Sequence, residues 1–129
     1  SLVETLDTTK DQPMLFPNEQ LSKAAAAHAS DIGANGLVQH ESSDGTKPLD
    51  RISQYYQGNA TAENIAAGTN KAFYIVRQLL IDQDVPTYGH RRNILSSKYN
   101  RIGVAIHEHT KYKYCCVQDF ADDKGEAIN

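Results

Sequence analysis

A chain of 129 residues with 40% hydrophobic content is one domain's worth of sequence and can bury a core without covalent staples. Its net charge of −3, with no basic run, favours neither nucleic acid nor an anionic membrane surface as partner. No stretch approaches the ~20 apolar residues of a spanning helix, and Ser1-Leu2-Val3-Glu4 does not begin a signal sequence, so residues 1 to 129 are expected to form one unit with any leader absent or removed.

Residues 1 to 17 hold only scattered apolar positions, Leu2, Val3 and Leu6, then Met14, Leu15 and Phe16. Asn18 before Glu19-Gln20-Leu21 is suited to cap a helix, in which Leu21, Ala25, His28 and Ile32 recur at helical spacing through an alanine-rich run before Gly33 and Gly36. Val38 to Lys47 is poor in apolar residues and contains the turn cluster Ser42-Ser43-Asp44-Gly45, which puts His40 in a loop. Pro48, suited to a first helical position, opens a short helix with Leu49, Ile52 and Tyr55 or Tyr56 on one side. Asn59-Ala60-Thr61 is an N-glycosylation sequon in the polar stretch that follows. Ala62 to Ala67 is too short to stand alone as an element. Thr69 or Asn70 then caps a strong helix whose stripe of Ala72, Phe73, Ile75, Val76, Leu79 and Leu80 ends before Pro86, with Phe73, Val76, Leu79 and Leu80 expected in the core. Thr87 can cap a further short helix with His90, Ile94 and Leu95. From Ile102 to His107 and from Tyr112 to Phe120 side chains alternate, and a turn around Glu108 to Lys111 makes the two runs an antiparallel hairpin. Helices followed by a hairpin predict an α+β fold, with helices covering a small antiparallel sheet.

Chemistry can come from four separated segments: Gln39 to Gly45, Ala62 to Ile65, Ile81-Asp82 and Gly89 to Leu95. His40 and His90 form the best pair, since Gly89 leaves room for a ligand beside an imidazole. Glu63, among alanine and isoleucine, must be nearly buried and needs a partner; capping a helix or accepting backbone N–H groups would satisfy it as well as a site would. Asp82, with Asp84 an equal substitute, reads as readily as an exposed acid near a helix end. His40, Glu63, Asp82 and His90 together suit a weakly held borderline cation such as zinc, with water at an open position, or a set of carboxylates that orient imidazoles. Ser43 beside His40 invites a nucleophile reading, but the turn accounts for it fully. His107 and His109, on one strand face, are expected at the surface. Cys115 and Cys116 are neighbours, so a disulfide between them would strain the backbone, and they are expected as free thiols, any outward one able to pair with another chain. No motif calls for an organic cofactor.

In four places, the alanine-rich helix with His28 and Asp31 leading to His40, Ala62-Glu63-Asn64-Ile65, Gly89-His90-Arg91-Arg92-Asn93-Ile94-Leu95 and Val117-Gln118-Asp119-Phe120, the chain resembles the CAP superfamily of SCP-like domains. The resemblance implies a three-layer α-β-α sandwich in which His40, Glu63, Asp82 and His90 line a central cleft. It implies a secreted protein that binds zinc or another divalent ion, and a small lipid or a protein ligand as partner. The family's second acid is usually Glu where this chain has Asp82, the disulfide cysteines of animal members are missing, and the family helix before the alanine-rich one is expected to be absent or trimmed. That last departure would leave an apolar N-terminal side for a partner in an extracellular assembly. A binding module is the favoured reading; a hydrolase using a metal-bound water or Ser43, and a structural subunit, are the rivals.

Overall fold

The computed structural model describes residues 15–81, 93, 94, 96, 98–123, 126 and 127, without the side chains of Leu80, Ile81 and residues 126 and 127. Its elements in chain order are β1 (Phe16–Pro17), α1 (Glu19–Asn35), α2 (Pro48–Ile52), β2 (Tyr56–Gln57), β3 (Thr61–Ala67), α3 (Ala72–Ile81), β4 (Arg101–His109), β5 (Lys113–Ala121) and β6 (Glu126–Ala127). The N-terminal residues 1–14, on which the absence of a first family helix was expected, lie outside the described residues.

Asn18 caps α1 as its position predicts: its Oδ1 accepts the Leu21 N–H at 2.9 Å. The helix ends where Gly36 turns left-handed at φ 66°, and the Leu37 N–H reaches back to the Ile32 carbonyl. Leu21, Ala24, Ala25, His28, Ala29 and Ile32 are buried along one face. That face lies on β4 and β5, with Ala25, Ala29 and Ile32 packed against Ile65, Cys115 and Val117. The approach is very close. A Cβ on Gly103 of β4 would overlap the Leu21 backbone, and one on Gly33 of α1 would overlap the Glu108 carbonyl.

β1, β4, β5 and β3 form one sheet in that spatial order, with β1 parallel to β4 and the remaining pairs antiparallel. β2 and β6 make a separate two-stranded antiparallel pair. The expected hairpin is present, and the segment read as too short for an element is a full strand: β3 pairs along its whole length with β5, Thr61 opposite Ala121 through Ala67 opposite Cys115. Covered on both faces, β5 is buried from Cys115 through Ala121.

α3 covers the opposite face of the sheet, where Ile75 and Leu79 pack with Ala66 and Cys116. Helices on both sides of the sheet complete three layers, an α+β sandwich. The phase of α3 differs from the expected one. Phe73 is 74% exposed and Val76 40%, so among the described side chains the inward stripe is Ile75 and Leu79, one turn apart, while the expected core position Leu80 lies outside the described side chains. Leu49 likewise faces outward while Ile52 and Tyr56 are buried with Leu21.

His109 is also a correction, being buried rather than on the surface. Its Nε2–H donates to the Leu37 carbonyl at 2.7 Å, and its Nδ1 accepts the Lys111 and Tyr112 N–H groups, both at 3.1 Å. The ring thus pins the β4–β5 turn to the exit of α1; His107 remains exposed. Cys115 and Cys116 are free thiols, and both are buried, Cys115 on the α1 side and Cys116 on the α3 side. Burial raises both thiols, Cys116 to about 11, so neither is an activated nucleophile.

Candidate functional site

Glu63 on β3 and Asp119 on β5 are directly opposed across the sheet, on the face that α1 covers. Two carboxylates in such a pair repel each other, and the fold places a cation between them. α2, whose buried residues are Arg51 and Ile52, brings it there. Arg51 Nη2 donates to Glu63 Oε2 at 2.7 Å, and Nη1 stands 3.6 Å from Asp119 Oδ2. The loop after α1 supplies His40, whose Nδ1 lies 2.9 Å from Glu63 Oε1. From α1 itself, His28 Nε2 lies 3.8 Å from the same oxygen and donates to the Gln39 carbonyl at 2.8 Å.

The protonation states follow from these contacts. Burial alone would raise the Glu63 carboxyl, but His40, Asp119 and Arg51 together hold it down, to about 2, so it is ionised. Asp119 goes the other way. Its burial, and next the Glu63 carboxylate facing it, push it well above the usual carboxylate range, with Arg51 only partly countering. The two carboxyls are thus driven apart, Glu63 toward its charged form and Asp119 toward its protonated one. Burial first, then the Arg51 charge, lowers His28, which is neutral with its proton on Nε2 because a carbonyl oxygen can only accept. The hydrogen bond that His40 donates to Glu63 raises the His40 imidazole. Since ionised Glu63 only accepts, neutral His40 carries its proton on Nδ1 and leaves Nε2 as a lone pair. The His40 side chain is 48% exposed against 2% for Glu63, so a ligand can reach the imidazole while the carboxylate stays shielded.

Of the residues expected in the tetrad, the structure brings His40 and Glu63 together. Asp82, its substitute Asp84 and His90 lie outside the described residues. From the His90 motif Asn93 and Ile94 are described. Asn93 Nδ2 donates to Asn64 Oδ1 at 2.8 Å and to the Glu63 carbonyl at 3.3 Å, while Asn64 Nδ2 donates onward to Gln118 Oε1 at 3.2 Å. Ser43 is committed elsewhere: its N–H and its hydroxyl both donate to the Asp31 carboxylate. A cavity of about 280 Å³ between α1, the 42–46 turn and α2 is lined by His28, Asp31, Ser43 and Arg51. Among the described residues, no three His, Cys, Asp or Glu side chains are grouped to hold a metal ion. His40 Nε2 is the atom placed to ligate one.

Reading the sequence missed Arg51, Asp119 and His28 as site residues. Asp119 carried the same signal as Glu63, an acid inside an apolar strand run. Arg51 carried none of its own, beyond the rule that a buried acid requires a cation.

The model of the CAP, cysteine-rich secretory protein family matches residues 8–120. The chain is 30% identical over 111 residues to the uncharacterized protein YkwD of Bacillus subtilis, an alignment that takes in 83% of this chain and 41% of that protein. It is similar in structure to an outer surface protein of Borrelia burgdorferi, with TM-score 0.71, 24% identity and coverage of 92% of this chain and 82% of the other. An extracellular SCP-domain protein of Bacillus anthracis superposes with TM-score 0.69 at 23% identity, over 87% of this chain and 35% of that one. Venom allergen-like protein 4 of Schistosoma mansoni gives TM-score 0.63 at 17% identity, over 92% and 73%. The chain thus spans well under half the length of its two Bacillus relatives.

Proposed function

This chain belongs to the CAP, cysteine-rich secretory protein, family, and from that premise we propose that it is an extracellular binding module whose site takes a divalent ion through imidazole nitrogen. The observation that carries this reading is the His40–Glu63 pair: a half-exposed imidazole fixed through Nδ1 by a sequestered carboxylate, which leaves Nε2 free. A carboxylate that orients a histidine and raises its basicity is the usual outer partner of a zinc ligand. His40 and His90 would hold the ion, with Glu63 behind His40 and Asp82 or Asp84 in the corresponding place behind His90. A bound ion would supply a Lewis-acid centre. Asn93, three residues after His90, is bonded to the Glu63 backbone, which supports the same convergence.

Extracellular placement draws support from the outer surface and extracellular proteins that share the fold. Asn59 is exposed, as glycan attachment at its sequon requires. No helix among the described residues is long and apolar enough to cross a membrane. Catalysis through Ser43 loses its basis, because the hydroxyl proton is given to Asp31. A different observation favours lipid or protein contact as a second use: Phe73, Tyr74 and Val76 are exposed together on α3.

Thermal unfolding with zinc tests the main reading. At a hundredfold excess over Kd the ion should stabilise the protein by about 2.7 kcal/mol, and the gain should vanish in both His40→Ala and His90→Ala. Affinity should rise with pH past the ordinary histidine range, because His40 must lose the proton that Glu63 helps it keep. An unchanged midpoint for the unmutated protein at high zinc would end the metal reading.

A further inference from the structure

Arg51 touches both members of the His40–Glu63 pair. Its Nη2 donates to Glu63 Oε2 at 2.7 Å and also to the backbone carbonyl of His40 at 3.1 Å. The other oxygen of the same carboxylate holds the His40 ring at 2.9 Å. Imidazole, carboxylate, guanidinium and the His40 main chain therefore close a ring, in which the residue that bears the imidazole is gripped at both its side chain and its backbone.

Stability alone does not account for this arrangement. Arg51 is 6% exposed, and its Nε and Nη1 have no hydrogen-bond partner among the described residues. A guanidinium has five N–H donors, and leaving buried ones unmet is costly. Apolar side chains of similar volume in place of a whole buried ion pair are often as stable or more so. What the guanidinium provides that an apolar residue cannot is a fixed link between the loop that carries His40 and the strand that carries Glu63.

We propose that Arg51 is the positioning residue of the site: by tying the His40 backbone to the Glu63 carboxylate, it locks His40 in the tautomer with Nδ1 protonated and so selects Nε2 as the ligating atom. This rests on the imidazole-binding reading above and names the part of the site that prepares the ligand. Arg51 touches no bound ion itself. It acts through Glu63 and through the loop.

Two measurements on the metal-free full chain and its Arg51→Lys and Arg51→Met variants test the proposal. Nitrogen-15 NMR of the imidazoles, at a fixed pH of about 8, reads the His40 tautomer. Calorimetric titration with zinc alone reads affinity. The unmutated protein should show one His40 tautomer, protonated at Nδ1; both variants should show a mixture and bind zinc about 10–100-fold more weakly. Lysine keeps the charge but not the planar fork, so Arg51→Lys decides the matter if the methionine variant does not fold. Folded variants that retain the single tautomer and the original affinity would overturn the proposal and leave Arg51 a charge partner only. A tautomer that becomes mixed in the variants, in a protein that binds no zinc even unmutated, would uphold the positioning role and remove the metal reading instead.

Discussion

On the sheet face that carries Glu63 and Asp119, α1 lies so close that the contact requires glycine on both sides, Gly33 from the helix and Gly103 from the strand. On the opposite face α3 meets the sheet through Ile75 and Leu79, while Phe73, Tyr74 and Val76, and on β4 Val104 and Ile106, remain substantially exposed. The tight face combines glycine and alanine at the points of closest approach with Leu21, Ile32, Ile65 and Val117 and with buried polar groups, whereas the looser face leaves large apolar side chains exposed. Small residues let the backbones of α1 and β4 come together and exclude water from the Glu63–Arg51–Asp119 cluster, whose contacts would be far weaker if hydrated. Close packing here makes the low-dielectric wall of a polar site.

Gly103→Ala should break this contrast most severely. The added methyl meets the Leu21 backbone, which cannot swing aside as a side chain would, and the cost should reach about 3 kcal/mol, the upper end for overpacking, by urea denaturation. Leu79→Ala, on the open face, should cost less, about 2 kcal/mol, since a loosely covered site can relax around the lost atoms. A penalty for Leu79 as large as that for Gly103 would show the two layers to be equally rigid.

Asp119→Asn sharpens the comparison from the polar side. The Asp119 carboxyl is raised in the folded state, so its contribution is fully present below its unfolded value near 3.8 and is lost as pH rises toward the folded one. Asparagine cannot ionise, so the variant should gain on the unmutated protein as pH climbs above the unfolded value near 3.8, in denaturation curves taken at each pH. A difference that stays constant as pH rises would mean that the Asp119 carboxyl is not raised in the folded protein. Phe73→Ser, at a side chain 74% exposed, should change stability by no more than about 0.5 kcal/mol. A larger loss would place Phe73 in contact with the body of the protein.

Much of the architecture could be read from local chemistry. The Asn18 cap, the alanine-rich stripe, Pro48 at a helix start and the β4–β5 hairpin all depend on residues near one another in sequence, and all are present. β3 was missed because Ala62 to Ala67 has no alternation: its inner face and its outer face are both covered, so polarity does not mark the pleat. The α3 stripe was drawn too wide because hydrophobicity shows which residues tolerate burial, while the number of neighbouring layers decides how many receive it. Within the site, Glu63 announced itself as an acid in apolar company. Arg51 did not, since it reaches Glu63 only across an element boundary, and Asp119, an acid in similar company, is tied to Glu63 only through strand register.

Adjacent positions 115 and 116 place one sulfhydryl beneath each helical layer. An alkylating reagent can reach either only when the layer above it lifts, so the two modification rates, separated by mass spectrometry of a single peptide, would time the opening of α1 and of α3 independently in the native protein. Two neighbouring sulfur atoms thus serve as separate clocks for the two sides of the molecule.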